Sequence, residues 1–208
     1  MKLPFCCLLL LCLLSCSDPP RHTPTAHPRI VTVDSDVVKN ENANPYVAVD
    51  VSPMDMSWLP ADYPKMTIKR PLPVARLIYS RPHRQGRKIF GGLLKFGEPW
   101  RLGANEATEI EFFEPVSIFD KVIPRGRYVL YCIPYTDKWT LVLNSNLYSW
   151  GLTPDPEKDL YRFQIPVEVK DMSVEFFSMV FQETPYGADL VMAWDNVEAR
   201  LPLHFTKR

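Results

Sequence analysis

The 208-residue chain has no excess of either charge, because 24 basic residues balance 24 acidic ones. Proteins that bind nucleic acid usually carry a basic surface that neutralises phosphates, so this balance argues against DNA or RNA as a partner. The chain also lacks three local motifs of common catalytic sites: the G-x-S-x-G nucleophile elbow, the H-E-x-x-H zinc motif and the Walker loop. The sequence therefore identifies no reaction directly.

Histidine and cysteine are scarce in the part of the chain that we expect to fold, which holds His83, His204 and Cys132. Two histidines exclude a histidine-rich metal site. A mixed site with Asp and Glu stays possible, but no group has ligand spacing, so we expect neither a metal nor a cofactor. Cys132 lies in the apolar run YVLYCIP without a disulfide partner, which predicts a buried, inert thiol.

The N-terminus has the features of an export signal. Lys2 precedes an apolar run, Leu3 to Leu14, that is too short to span a bilayer, which takes about 20 apolar residues. The run ends in Leu13-Leu14-Ser15-Cys16, which resembles a bacterial lipobox. By that resemblance, residues 1–15 are a lipoprotein signal peptide and Cys16 carries palmitate-type acyl chains. An ordinary signal peptide is the alternative.

A lipidated Cys16 would anchor the protein, since two or more acyl chains bind a membrane stably. We therefore expect a lipoprotein of the cell envelope, held at the outer membrane, with the periplasmic or surface face left open. Residues 16–45 are rich in Pro, Thr, Ser, Asn and Asp, which is the composition of a flexible, disordered linker. Residues 46–208 are expected to form the folded domain.

Short strand-like runs follow one another from Ala75 onward, each bounded by Pro, Gly, Asn or Asp. They include ARLIYS, LYRFQIPVEV, EFFSMVFQ and the last run, VEARLPLHF, in which apolar and polar residues alternate so that Ala199, Leu201 and Leu203 share one face. Their spacing of about 8 to 12 residues is typical of an all-β sandwich or barrel, and no segment keeps a helical period. The sequence therefore predicts a single antiparallel β-sandwich, jelly-roll-like, after the signal peptide and linker. Because proline cannot donate a ladder hydrogen bond, the strands with Pro166 and Pro202 should be edges or carry bulges. The proline-rich stretch from 46 to 73 indicates short extended pieces rather than regular elements.

Two polar clusters are candidates for a ligand site. The first, YSRPHRQGRKIFG, is basic, and Arg81 and Arg87 could each grip a carboxylate, phosphate or sulfate with a guanidinium fork. The alternative is a solvated loop in which one arginine pairs with an acidic residue inside the fold. This alternative is as well supported as a ligand site for Arg81 and Arg87, and it is favoured for Arg84 and Lys88.

The second cluster, EPWRLGANEATEIEF, crowds five polar or aromatic residues around a small Gly-Ala pair: Trp100, Arg101, Asn105, Glu106 and Thr108. Asn105 could close an Asx turn through its own backbone. The five could satisfy one another as a buried structural plug, or line a pocket floor with Trp100 as a stacking wall. In either case we expect Arg101 and Glu106 to form a charge pair that is partly shielded from water.

The segments YSRP, GRKIFGGLLKFGEPWRLGANEATEIEF, IPRGRYVLYCIP and WTLVLN, followed by Asp159 and Arg162, resemble the bacterial domain-of-unknown-function family 2911. The resemblance runs from about residue 79 to 208. It implies an exported protein, often a lipoprotein, of Bacteroidota and their relatives, and it implies no established activity.

Three functions stay open at this level. The first is a membrane-tethered lipoprotein whose β-sandwich binds a ligand, either a glycan or a small anion. The second is a structural or assembly lipoprotein without a small ligand. The third is a hydrolase that uses Glu106 with another carboxylate, Asp155 or Asp159, since glycosidases need two carboxyl groups about 5 to 10 Å apart. The sequence favours a binding protein over an enzyme.

Overall fold

A computed structural model describes residues 52–65 and 72–205 of the chain, all within one compact unit, Ala48–Arg208. The predicted signal peptide, the linker and Cys16 lie outside the described residues. Among those described, no helix is long and apolar enough to cross a membrane.

The described residues form nine strands and two short 3-10 helices. The strands are β1 (Met54–Leu59), β2 (Ala75–Ser80), β3 (Glu109–Phe112), β4 (Val116–Ile118), β5 (Lys121–Ile123), β6 (Gly126–Pro134), β7 (Lys138–Asn144), β8 (Asp159–Thr184) and β9 (Gly187–His204). The 3-10 helices are Tyr63–Lys65 and Pro156–Lys158. All strand pairs are antiparallel, in a single sheet of order β1-β2-β3-β6-β7-β8-β9-β4-β5. The prediction of an all-β antiparallel domain is confirmed.

Strand β8 gives the sheet its sandwich-like layering, because it changes partner along its length. Its first part, up to Pro166, pairs with β7, and from Val167 onward it pairs with β9. The later part then lies against the first two strands. The amide of Met179 donates to the Tyr79 hydroxyl at 2.9 Å, and that of Phe177 donates to the Pro82 carbonyl at 3.0 Å. One strand therefore belongs to both layers.

The two prolines lie where a ladder hydrogen bond is not needed. Pro166 is the last residue of β8 paired with β7, and Pro202 lies in β9 beyond Ala199, the last residue paired with β8. Of the two predicted alternatives, an edge or a bulge, the bulge is the one that is found, since both strands have neighbours on each side. The register does shift between β8 and β9, but at Val169–Ser178 rather than at the prolines.

The proline-rich stretch contains a regular element that the sequence did not predict. Residues Met54–Leu59 form the edge strand β1, paired with β2 over its whole length. An edge position suits this region, because only one side of an edge strand has to form a ladder.

Alternating side chains of the long strands build the core. In β9, Ala199, Leu201 and Leu203 are buried, as the alternating pattern predicts. Cys132 in β6 is fully buried, and burial raises the pKa of its thiol well above the ordinary value. The prediction that Cys132 is buried is confirmed, and it has no disulfide partner among the described residues. A thiol with a raised pKa is a poor nucleophile.

Candidate functional site

The segment between Trp100 and Thr108 runs back along β6 and is anchored at both ends. Trp100 exchanges two backbone hydrogen bonds with Cys132, at 2.7 and 2.8 Å, and the Thr108 carbonyl accepts from the Leu130 amide at 2.9 Å. The residues between these anchors form a loop without regular structure. The sheet therefore fixes the ends of the loop, and side chains must fix its middle.

Two side chains of the predicted cluster brace this loop from inside. The fully buried Thr108 donates its hydroxyl to the Leu102 carbonyl at 2.6 Å, and the Trp100 indole donates to the Gly103 carbonyl at 3.2 Å. Gly103 is needed for close approach, since a Cβ there would lie 2.8 Å from the Ser80 carbonyl oxygen. Thr108 thus has the role of a structural plug and is not accessible to a ligand.

Asn105 is a second brace of the loop. It adopts a left-handed backbone conformation, with φ of 57°, which Asn tolerates better than most residues. Its side-chain amide donates to the Ser52 carbonyl at 3.2 Å and so ties the loop to the residues before β1.

Trp100 is the centre of an aromatic cluster in the core. Its ring stacks on Trp194 at 5.8 Å between centroids and meets Phe177 and Trp139 at steep angles. Trp100 is only 6% exposed and Trp139 is fully buried. Neither ring is an open platform for a ligand.

The edge of this cluster forms the wall of a pocket, which we call the arginine pocket, with a volume of about 450 Å³. It is lined by Ser52, Pro82, Gln85, Arg87, Leu93, Leu94, Pro99, Trp100, Arg101, Gly103, Ala104, Gly151, Leu152 and Trp194. Three predicted site residues, Arg87, Trp100 and Arg101, therefore meet in one concavity. Among the described residues that line it, none is Asp or Glu.

Arg101 holds the loop and faces the pocket. Its guanidinium donates to the backbone carbonyls of Asn105 and Trp150, the latter at 3.3 Å. Burial lowers the pKa of Arg101 from its ordinary value, because a desolvated guanidinium is less stable as a cation, while the carboxylate of Glu106 opposes the shift. A partly desolvated cation in a pocket attracts an anion more strongly than one in open water.

The predicted direct charge pair between Arg101 and Glu106 is wrong. No ion pair joins them within the part of the chain that the structure describes, and Glu106 is exposed. The turn between them points the guanidinium toward carbonyl groups instead. Glu106 lines a different cleft, which is lined by Met54, Ile78, Glu106, Ala107, Glu109, Tyr148, Ser149 and Trp150 and which we call the glutamate cleft.

The two arginines of the basic cluster have different surroundings. Arg81 pairs with Asp55 at 3.3 Å and donates to the Phe177 carbonyl and the Ser178 hydroxyl, so it joins β1 and β2 to β8 and does not line the arginine pocket. Arg87 is exposed, donates to the carbonyls of His83 and Arg84, and does line it.

Arg84 forms an ion pair with Asp195 at 3.1 Å, which confirms the structural interpretation of that residue. For Lys88, the sequence favours a position in a solvated loop. Its side chain is exposed, in agreement with that interpretation, and it forms no ion pair within the described residues.

The loop between β7 and β8, residues 145–158, supplies residues to two cavities. Gly151 and Leu152 line the arginine pocket, while Tyr148 and Trp150 line the glutamate cleft. Gly151 has φ of +80°, and a Cβ there would lie 2.9 Å from the Cα of Ala107. The pair Trp150-Gly151, a large aromatic residue followed by a glycine in a loop, is a sequence signal that could have indicated a close contact here.

A buried polar network fixes the base of the same loop. Asp159 accepts hydrogen bonds from the Tyr131 hydroxyl, from the Asn144 amide at 2.7 Å and from Arg162 at 2.6 Å, and its side chain is 8% exposed. Burial, helped by the nearby Asp159 carboxylate, raises the pKa of Tyr131 to about 12. Asp159 and Arg162, which the family resemblance singled out, therefore position the loop and do not line either cavity.

Within 52–65 and 72–205, no group of three or more His, Cys, Asp or Glu side chains is arranged to hold a metal ion. Neither the arginine pocket nor the glutamate cleft therefore contains such a group among its described residues.

Comparison with known proteins adds a family and no activity. The family model described as protein of unknown function, DUF2911, matches residues 64–203. The chain belongs to this family. Searches of curated proteins and of solved structures found no match. The region matched by the DUF2911 model includes every residue that lines the arginine pocket except Ser52.

Proposed function

We propose that this DUF2911 protein is a membrane-tethered lipoprotein whose β domain binds a small anion with an apolar body in the arginine pocket. The observation that carries the proposal is the composition of the lining, with Arg87 and Arg101 beside the rings of Trp100 and Trp194 and no carboxylate among the described lining residues. Ligand sites commonly combine apolar walls with a few polar groups that fix orientation.

The size and charge of the pocket narrow the ligand class. A volume of about 450 Å³ lies in the range of small-molecule sites, roughly 300 to 1,000 Å³. Leu93, Leu94 and Leu152 provide aliphatic surface, and guanidinium groups bind planar carboxylates in a forked geometry. An aryl or alkyl carboxylate satisfies both features, whereas bare phosphate or sulfate would leave the apolar walls without a partner.

A glycan in this pocket has less support. Sugars stack on open aromatic faces, but Trp100 and Trp194 are 6% and 1% exposed. The hydrolase alternative also has less support, because Asp159 accepts hydrogen bonds from three side chains and Asp155 caps the 3-10 helix Pro156–Lys158. A purely structural lipoprotein is the competing function, since Thr108, Asn105 and Arg81 brace the fold.

Calorimetric titration of the full-length protein in a neutral detergent tests the binding proposal. The probes are benzoate and hexanoate, with benzamide as a neutral analogue of benzoate. We expect carboxylates to bind and benzamide to bind at least tenfold more weakly. Arg87→Gln and Arg101→Gln should each weaken benzoate binding, while Arg125→Gln, which removes an exposed arginine outside the pocket, should not.

Failure of every carboxylate to bind would favour the structural lipoprotein. Equal binding of benzoate and benzamide would show that the arginines do not select charge. Unfolding midpoints measured on the same variants separate loss of the site from loss of the fold, because Arg101 also holds the loop through two carbonyl groups.

The tether is a separate part of the proposal and is supported by the lipobox-like sequence ending in Cys16. Cys16→Ala should abolish incorporation of labelled palmitate and release the protein from the membrane fraction. Cys12→Ala, which changes a cysteine within the proposed signal peptide, is the matched control and should leave labelling intact. Unchanged labelling of the Cys16 variant would contradict a lipid anchor there.

A further inference from the structure

The glutamate cleft differs from the arginine pocket in chemistry, although the loop 145–158 lines both. It has a volume of about 460 Å³, and among its described lining residues there is no Lys, Arg or His. Its charged groups are Glu106 and Glu109, and its aromatic groups are Tyr148 and Trp150. The arginine pocket has the reverse arrangement, with cations beside aromatic rings that are buried.

The aromatic side chains of the cleft are open to solvent. Tyr148 is 87% exposed and Trp150 is 58% exposed, in contrast to the nearly buried Trp100 and Trp194. Met54, on the edge strand β1, adds a third exposed apolar side chain at 61%. Exposure of this much aromatic and thioether surface within one concavity is typical of a binding site.

Glu106 supplies the negative charge of the cleft. Glu109 pairs with Arg127 at 3.5 Å, so its charge is largely compensated. Glu106 has no ion-pair partner within the described residues. It interacts electrostatically with Arg101, whose guanidinium donates to two backbone carbonyl groups. An exposed carboxylate beside two open aromatic rings attracts a cation in two ways, by charge and by the negative face of each ring.

We propose that the glutamate cleft binds an organic cation, an alkylammonium group held between Tyr148 and Trp150 with Glu106 as its counter-charge. A neutral sugar would also stack on the rings, but its hydroxyl groups both donate and accept hydrogen bonds. The two carboxylates of the cleft only accept, and the side-chain donors among its described residues are neutral: the hydroxyls of Tyr148 and Ser149 and the indole N–H of Trp150. Acceptor groups without cationic donors suit an ammonium group better than a sugar.

Titration of the full-length protein in neutral detergent, followed by Trp fluorescence and calorimetry, tests this proposal. The probe is choline, and the comparison probe is 3,3-dimethyl-1-butanol, which has nearly the same shape without the charge. We expect choline to bind at least tenfold more tightly than the alcohol and to bind more weakly as salt rises, because salt screens an exposed charge.

Substitutions of the lining residues test whether choline binds in the glutamate cleft. Glu106→Gln keeps the size of the side chain and should weaken choline binding at least fivefold, and Trp150→Leu should do the same. Glu98→Gln, which neutralises an exposed glutamate outside the cleft, is the matched control and should have no effect.

Three results would overturn the proposal: no binding of choline, equal binding of choline and the neutral alcohol, or choline binding that Glu106→Gln leaves unchanged. Binding of glucose or N-acetylglucosamine that is insensitive to salt and to Glu106→Gln would assign the cleft to a neutral sugar instead. Loss of carboxylate binding in the arginine pocket does not bear on these outcomes, since the two cavities share no lining residue.

Discussion

The base and the tip of the loop 145–158 use polar residues in opposite ways. At the base, Asn144 and Asp159 are buried and their hydrogen bonds go to other side chains and to backbone of the same loop. At the tip, Tyr148 and Trp150 are exposed, and the backbone is attached through the Arg101 guanidinium and the close packing of Gly151. The polar side chains of the base satisfy one another and brace the fold, whereas the aromatic side chains of the tip stay open to solvent beside a cavity.

The largest expected effect is the loss of stability when the hydrogen bonds at the base of the loop are removed. Asp159→Ala leaves the Tyr131 hydroxyl and one hydrogen of the Asn144 amide without their hydrogen-bond acceptor. Each buried group left unsatisfied costs about 1 to 3 kcal/mol, so we expect the free energy of unfolding to fall by about 2 to 6 kcal/mol. Urea unfolding of the full-length protein measures it.

Asp155→Ala is the matched control, because Asp155 is a more exposed carboxylate of the same loop that caps the Glu157 amide. Loss of such a cap costs about 0.5 to 2 kcal/mol. Equal losses for the two variants would mean that the base is not a brace.

A smaller loss of stability is expected when the close packing of Gly151 at the tip of the loop is disturbed. Gly151→Ala and Gly86→Ala each place a side chain at positive φ, +80° and +70°, which costs roughly 1 to 2 kcal/mol. Only at Gly151 does the new methyl group also meet backbone, at 2.9 Å from the Ala107 Cα, and overpacking adds about 1 to 3 kcal/mol. Urea unfolding should show a greater loss for Gly151→Ala, and a red shift of Trp fluorescence should report displacement of Trp150. Identical behaviour of the two variants would show that the tip is not held by this contact.

The smallest effect concerns the two charged residues of the 100–108 loop. Glu106→Ala should change the free energy of unfolding by about 0 to 1 kcal/mol, as for other exposed charges. A double-mutant cycle with Arg101→Ala should give a coupling below about 0.5 kcal/mol, because the two side chains do not form an ion pair. A coupling energy of several kcal/mol would instead support the shielded charge pair between Arg101 and Glu106 that the sequence predicted.

Strands were predictable where one face is buried, because burial imposes alternation on the sequence. The run ARLIYS coincides with β2, and the alternating residues of the last strand face the core as predicted. The sequence divided β8 into two runs, since Lys170 to Ser173 between them are exposed and lack an apolar face. The register shifts in this part of the strand, so a continuous strand there leaves no periodic signal.

The candidate site was predictable only in part. Trp100, Arg101 and Arg87 are marked by composition, and they do line one pocket. Trp194 belongs to an ordinary apolar run, and Leu152 to a loop, so neither differs in sequence from a core or surface residue. Whether Thr108 and Arg81 brace the fold or face a ligand depends on partners more than twenty residues away or on loop geometry, which local patterns do not encode.

The long strand β8 also has a consequence for how the molecule forms. Because the same strand completes both ladders, neither layer can close before residues far apart in the chain have met, such as His83 and Phe176, which form a bridge. Proteins with many such distant pairings fold slowly, on a scale of about milliseconds to seconds. Slow closure keeps strand edges unpaired while the chain is still folding, and unpaired edges are where a folding chain is most prone to aggregate.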